Sequence, residues 1–467
     1  MSDEFKKKYG AVMTRNLEWK PSNCWDIYNT EEHRVAMDEL ASRYIDFLST
    51  CKTERETVKW VREQVSAKGF DEDFSAPAVL RDLRGKTVFL ARKGKRPLSE
   101  GIRLLGAHAD TPRLDLKQHP LYEECAVGLA KTHYYGGIRK YQWLARPLAL
   151  HGVVVRVDGT VVDVCIGEDP HDPVLMIGDL LPHLAQKQNE AKVAEAFEAE
   201  KLNIVLGHAP VADSRGEDKN RVRDNVLTLL NEKYNIVEED LYSAELQAVP
   251  AGPARFVGLD RALIGGYGQD DRICVFAGLE ALLSEEEPEY TQVVLFWDKE
   301  EIGSDGATGA QSLFFEYCME DLVEAWEPSV KLRHVLSRSC AVSADVHAAT
   351  DPDYQDLHEK LNASTVGFGP VFCKFTGHRG KYGANDAHAE YVGMLRGLLN
   401  QANIPWQMAE LGKVDQGGGG TVAKFLAVYC MDVIDFGPGV LSMHSPFEMS
   451  SKADLYATVL AYREFLK

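Results

Sequence analysis

Two adjacent glutamates, Glu300 and Glu301, directly follow an apolar run that ends in Phe296 and Trp297. Neighbouring side chains at a sheet edge point in different directions, which suits one carboxylate to a metal ion and the other to a proton. The residues after them, Gly303, Ser304, Gly306 and Ala307, are small enough for backbone to approach a site closely. Four further segments carry the same residue types. GIRLLGAHADTPRLD holds His108 and Asp110, an H-x-D pair in which the aspartate can orient a metal-bound imidazole. Asp270 and Asp271 head an apolar helical pattern, where acidic side chains either answer the helix dipole or bridge two cations. SADVHAATDP supplies Asp345 and His347, and GVLSMHSPFEMSSKADLY supplies His444 and Glu448. Each segment alone reads as a cap or a hydrogen-bonded loop. Together they form the mixed histidine and carboxylate set of a hydrolytic two-metal site, suited to zinc, cobalt or manganese.

Such groups must be positioned by a scaffold, and the apolar periodicity describes one. Leu40, Tyr44, Phe47 and Leu48 share one face of a helix that begins near Thr30. Thr53 and Glu56 form a capping-box pattern before Val58, Val61 and Val65. TVFLA from Thr87, GIRLLGA from Gly101, TQVVLFW from Thr291 and CAVSA from Cys340 read as strands, while LEALL and AEYVGMLRGLLNQA read as helices. Alternating strands and helices predict an α/β three-layer sandwich with a mostly parallel sheet. In such sheets, chemistry gathers beyond the carboxyl ends of the strands, where most of the residues above fall.

The middle of the chain differs. VVVRVDGTVVDVC predicts a β-hairpin with Asp158-Gly159 as a two-residue turn, and 186–201 reads as a solvated helix or lid. The expected organisation is a catalytic α/β domain in two parts, 1–115 and 251–467, interrupted by a β-rich insertion at 116–250.

The 467 residues carry 52 Lys plus Arg against 71 Asp plus Glu, a formal charge of -19. That balance repels phosphate backbones and anionic lipid, so no nucleic-acid or membrane partner is expected. No stretch approaches the roughly 20 apolar residues that span a bilayer. MSDEFKKKYG has no secretory signature, and nine cysteines without a C-x-x-C pair fit buried reduced thiols. The expected location is cytoplasmic. Gly417 to Gly420 follow Lys413 rather than precede a lysine, so they are not a Walker loop; a tight turn lining a pocket is expected.

GAHADTPRLDLK, the Asp270-Asp271 segment, WDKEEIGSDGATGAQS, SADVHAATDP, KFTGHRGKYGANDAHAE, LGKVDQGGGGTVA and LSMHSPFE occur in one order along nearly the whole chain. In these segments the sequence resembles the metallopeptidase family of aspartyl aminopeptidase and vacuolar aminopeptidase I, with the glycine-rich segment closer to the aminopeptidase I branch. The resemblance implies His108, Asp270 and Asp345 on one divalent ion, Asp270, Glu301 and His444 on a second, and Glu300 as general base. It also implies a dimerising insertion, self-assembly to dimers and a dodecamer, and peptide substrates with a free N-terminus. Asp110 would support the imidazoles, and His347 and the backbone at Gly419 are candidates for contacting substrate. Lys374, Arg379 and Lys381 are candidates for a basic pocket that takes an acidic side chain. His347 stands two residues after Asp345, where aspartyl aminopeptidases tend to place a histidine three residues on, so the preferred N-terminal residue is left open. A two-metal carboxypeptidase, an N-acyl amino acid hydrolase, or a non-catalytic assembly protein of the same fold are the alternatives.

Overall fold

The computed structural model describes residues 19–212, 219–284 and 287–467; the amino-terminal decapeptide MSDEFKKKYG, expected to be no secretory signal, lies outside them. Its main sheet has eight strands, in the order 78–83, 87–92, 291–297, 102–108, 340–343, 432–437, 371–373, 407–408. The four central strands, Thr291–Trp297, Ile102–His108, Cys340–Ser343 and Asp432–Gly437, run parallel, and antiparallel pairings flank them on both sides. All seven residues of Thr291–Trp297 are buried, as a strand covered on both faces requires. One face packs on the helices Glu31–Thr50, Gln269–Leu283, Ala389–Gln401 and Lys452–Leu466, and the other on Phe314–Trp326, Leu332–Leu336 and Ala423–Ala427. The fold is the expected α/β sandwich with a mostly parallel sheet.

The two opening helices begin where their caps predict. Thr30 caps Glu31–Thr50. At Glu54–Ser66, Thr53 Oγ1 accepts from Glu56 N at 3.2 Å while Glu56 Oε2 accepts from Thr53 N at 3.0 Å, a reciprocal capping box.

Residues 113–250 form a separate seven-stranded sheet, covered by the helix Arg221–Tyr234 and filled by its own core around the fully buried Trp143. Its hairpin pairs Leu148–Val155 with Val161–Ile166, but the turn has three residues rather than two. Arg156 N donates to Thr160 O at 2.9 Å, and Gly159 takes φ +82°, the left-handed third position of such loops. Val161–Ile166 is an edge strand, so alternation turns Cys165 outward, whereas Cys274 is buried as expected. The segment 186–201 is broken into short helices at Gln186–Glu190 and Val193–Ala196 and a 3-10 turn, instead of one helix.

A third sheet has five short strands, ordered Arg255–Val257, Leu263–Gly266, Glu448–Ser451, Gly439–Leu441 and His347–Ala348. It stands against the carboxyl ends of the central parallel strands, and the junction of these two sheets is where the acidic and histidine residues meet.

The seven-stranded sheet is joined to the first helices through buried charge. His151 Nδ1 lies 2.7 Å from Glu56 Oε1 and its Nε2 3.1 Å from Glu168 Oε1. Lys52 Nζ lies 2.8 Å from that same Glu168 oxygen and donates to the carbonyls of Pro250 and Gly252. Burial opposes a charge on His151, but Cys165, Glu168 and Glu56 outweigh it and push the imidazole up to about 11. Because the folded value lies above the ordinary value of about 6.5, the stabilisation is complete below that pH and is lost as pH rises towards 11. The denaturant midpoint should therefore fall between pH 7 and pH 10, and His151→Gln should flatten that decline. A slope that the substitution leaves unchanged would show the imidazole to be neutral in the folded protein.

Candidate functional site

His108 is the last residue of Ile102–His108, Glu300 and Glu301 follow Thr291–Trp297, and Asp345 follows Cys340–Ser343, so three neighbouring parallel strands deliver four of the residues to one edge. The five-stranded sheet delivers the rest. Asp270 lies just beyond Leu263–Gly266, in the first turn of Gln269–Leu283, and His444 lies between Gly439–Leu441 and Glu448–Ser451. His444 holds φ +62° and Lys299, beside Glu300, φ +71°. Such left-handed backbone is uncommon outside glycine and recurs at functional sites.

Asp270 sits between the two histidines, with Oδ1 3.2 Å from His108 Nε2 and Oδ2 3.2 Å from His444 Nε2. Asp345 Oδ1 lies 3.9 Å from His108 Nε2, and Glu301 Oε1 lies 3.4 Å from His444 Nε2. Both imidazoles are anchored on their far side by carbonyl oxygens, which only accept. His108 Nδ1 donates to Asp110 O at 3.0 Å and His444 Nδ1 donates to Gly137 O at 2.8 Å. Each anchor places a proton on Nδ1 and turns Nε2 toward the carboxylates, which leaves Nε2 as the nitrogen a metal would take. Asp110 reaches His108 mainly through its backbone carbonyl, its carboxylate Oδ1 standing 3.4 Å away. That carboxylate instead accepts from Glu300 N and Glu301 N at 3.1 Å each and from Tyr135 Oη at 2.8 Å. It thereby fixes the turn that aims both glutamates.

The electrostatics describe a pocket built for cations. Burial raises Glu301 and Asp345 well above the usual carboxylate range, and Glu300 to about 7. Against the cost of burial, the hydrogen bond that His444 donates to Asp270 and the field of Glu301 push His444 up to about 10. Glu301 Oε1 is buried without a hydrogen-bond partner among the described residues, as is Oδ1 of the neighbouring Asp271. Buried anions are stable when paired or bound to metal, and two sets here bring their donor atoms within 4.8 Å: His108 with Asp270 and Glu301, and His108 with Asp271 and Asp345. The donors, imidazole nitrogen and carboxylate oxygen, fit zinc.

A cleft of about 910 Å³ opens over this cluster and is also lined by His347, Lys381 and Gly419. His347 Nδ1 meets Ser364 Oγ at 2.9 Å, and burial lowers the ring to about 4, which leaves it neutral. At Gly418, φ is +98° and a Cβ would lie 1.9 Å from Gly377 O, so only glycine allows the two loops to touch. Lys374 and Lys381 both reach Asp386, at 2.6 and 2.8 Å, and Lys374 is not on the cleft wall.

Several site residues escape a reading of the sequence. Tyr135 and Gly137 belong to the seven-stranded sheet's segment yet touch Asp110 and His444. Glu448, first noticed only for its proximity to His444, accepts from the backbone N–H groups of His444, Gln269 and Asp270 and so ties both histidine and aspartate loops together. A backbone contact leaves no mark on residue type, so only the acidic residue four positions after His444 offered a signal.

The model of the family described as "Aminopeptidase I zinc metalloprotease (M18)" matches residues 47–466. A probable M18 family aminopeptidase 1 of Clostridium acetobutylicum is 48% identical over 97% of this chain and 100% of its own. The crystal structure of an M18-family aminopeptidase from Thermotoga maritima aligns with TM-score 0.91 at 46% identity, covering 96% of this chain and 100% of that one. A dodecameric yeast aminopeptidase, mApe1, shares the fold at TM-score 0.74 and 20% identity over 92% of this chain and 97% of its own. With matches of this extent, the chain belongs to the aminopeptidase I zinc metalloproteases, the M18 family of peptide-bond hydrolases.

Proposed function

We propose that the protein removes single residues from peptides with a free N-terminus, at a site that holds two divalent ions. The observation that carries this reading is Asp270, whose two oxygens each face Nε2 of a different imidazole, both rings anchored through Nδ1. In this reading His108, Asp270 and Asp345 hold one ion, and Asp270, Glu301 and His444 the other. Bound there, zinc supplies Lewis-acid activation of water and of the scissile carbonyl. Glu300 takes the proton of the attacking water and returns it to the leaving amine, a role that suits a carboxyl placed beside the ligands. Asp110 keeps Glu300 in position by holding its backbone N–H, together with that of Glu301. The carboxylates of the pocket favour a free ammonium at the end of the peptide.

The seven-stranded sheet serves as the surface for self-assembly. Leu180, Leu181 and Leu184, in the connection between its strands Met176–Ile177 and Ile204–Gly207, are exposed at 51, 56 and 73%, and the dodecamer of the yeast structure supports such an arrangement. No helix among the described residues is long and apolar enough to cross a membrane.

The experiment compares a free aminoacyl anilide with its N-acetylated counterpart on zinc-loaded protein. The free substrate should turn over at least about 100-fold faster, the blocked one lacking the ammonium that the site must recognise. Equal rates would replace the aminopeptidase with an N-acyl hydrolase, and hydrolysis of blocked dipeptides from the carboxyl end would indicate a carboxypeptidase.

A further inference from the structure

The carboxylate of Asp110 holds the turn that aims Glu300 and Glu301, and it is itself held from another part of the fold. Tyr135 is the last residue of Val127–Tyr135 in the seven-stranded sheet, and its hydroxyl leaves that sheet to donate to Asp110 Oδ2 at 2.8 Å. The other two hydrogen bonds to this carboxylate come from the backbone N–H groups of Glu300 and Glu301, at 3.1 Å each. Those two belong to the turn that is being held. Tyr135 is thus the donor that ties the carboxylate to a structure outside that turn.

We propose that Tyr135 is a positioning residue for the reaction: its hydroxyl clamps the carboxylate of Asp110, and through Asp110 it sets the aim of Glu300. The proposal rests on Glu300 as general base and adds the part of the seven-stranded sheet that keeps this base in place.

The ring that carries the hydroxyl is pinned on several sides. Arg113 stands opposite Tyr135 in the register of the antiparallel neighbour, and its guanidinium lies 3.8 Å from the centre of the ring. Arg113 is buried and held in turn by Asp115 Oδ1 at 2.8 Å and by Glu54 Oε2 at 3.3 Å. Glu54 opens the helix Glu54–Ser66, so the ring is fixed relative to both the sheet and that helix. Burial and the negative charge of Asp110 raise the phenol far above its ordinary value, which keeps the hydroxyl a donor. A hydrogen bond to a buried carboxylate is among the stronger ones, and Asp110 is fully buried, away from bulk water that could replace the phenol.

The two residues after Tyr135 stay against the site. A Cβ on Gly136 would stand 3.3 Å from Glu301 Cβ, and Gly137 O accepts from His444 Nδ1 at 2.8 Å. One short segment therefore borders the support of the base, a carboxylate and an imidazole. Displacing a reacting group by about 1 Å costs on the order of 100-fold in rate, so a clamp on this turn is expressed in kcat.

The test compares Tyr135→Phe with the wild type on full-length zinc-loaded protein, with a free aminoacyl anilide as substrate. Phenylalanine keeps the ring and its contact with Arg113 and removes one oxygen, so the fold is retained; melting temperature and zinc content check this. The value of kcat should fall by about 10-fold while KM stays within about twofold and zinc content is unchanged. In a Glu300→Gln background the same substitution should cost less than about twofold, because no base is left to aim. An unchanged kcat in folded Tyr135→Phe overturns the proposal. So does the same loss in both backgrounds, which a purely structural role would give, and so does loss of zinc, which would assign the clamp to Glu301 instead. The Glu300→Gln single variant tests the base by itself: if it keeps the wild-type rate, the general-base reading fails. A slow Glu300→Gln with equal losses in the two backgrounds leaves that reading standing and removes Tyr135 alone.

Discussion

Glu300→Gln should lower kcat by about 10²- to 10⁴-fold, the span attributed to loss of a general base, while zinc content and KM stay near those of the wild type. Glutamine keeps the shape and the backbone N–H that Asp110 accepts, so the turn survives and only the proton acceptor disappears. Burial sets Glu300 at about 7, with His108 opposing and Asp110 and Asp270 adding to the rise. Divalent cations on the neighbouring carboxylates pull that value down. The acid limb of the kcat/KM profile should therefore lie below pH 7 and vanish in Glu300→Gln. A variant that keeps the wild-type rate would remove Glu300 from the reaction; one that loses zinc as well would make it a ligand.

Asp270→Ala should have an effect of similar or greater size by a different route. Its carboxylate stands 3.2 Å from both imidazoles, so its loss separates the two halves of the cluster. Bound zinc should drop from two ions per chain to one or fewer, and activity should fall by on the order of 10³-fold or more, because activated water and polarised carbonyl are lost together. Metal analysis separates this result from misfolding, as does a melting temperature measured with chelator present. Retention of two ions at wild-type affinity would show that Asp270 does not bridge.

How much could be read in advance varied with the physical signal. Thr30 and Thr53 announced their helices because a capping side chain has to be of a particular type. Thr291–Trp297 announced a strand because the apolar run Val293–Trp297 is too short for a helix. The residues assigned as ligands were visible as types, and the geometry brings them together. The five-stranded sheet that carries Asp270 and His444 was not visible: its strands run from two to four residues, too short for a period of two to emerge. The hairpin turn was read one residue short because Asp-Gly serves both two- and three-residue loops, and the bond between Arg156 and Thr160 decides between them.

His444 gets its anchor from Gly137 and its loop from Glu448, so the site closes only when segments 307 residues apart have met. During synthesis His444 and Glu448 emerge after His108, Asp270, Glu301 and Asp345. Until then the acidic cluster lacks one of its two imidazoles, and a growing chain is a peptidase without a working centre. The enzyme is thus silent while it is itself an unfolded polypeptide.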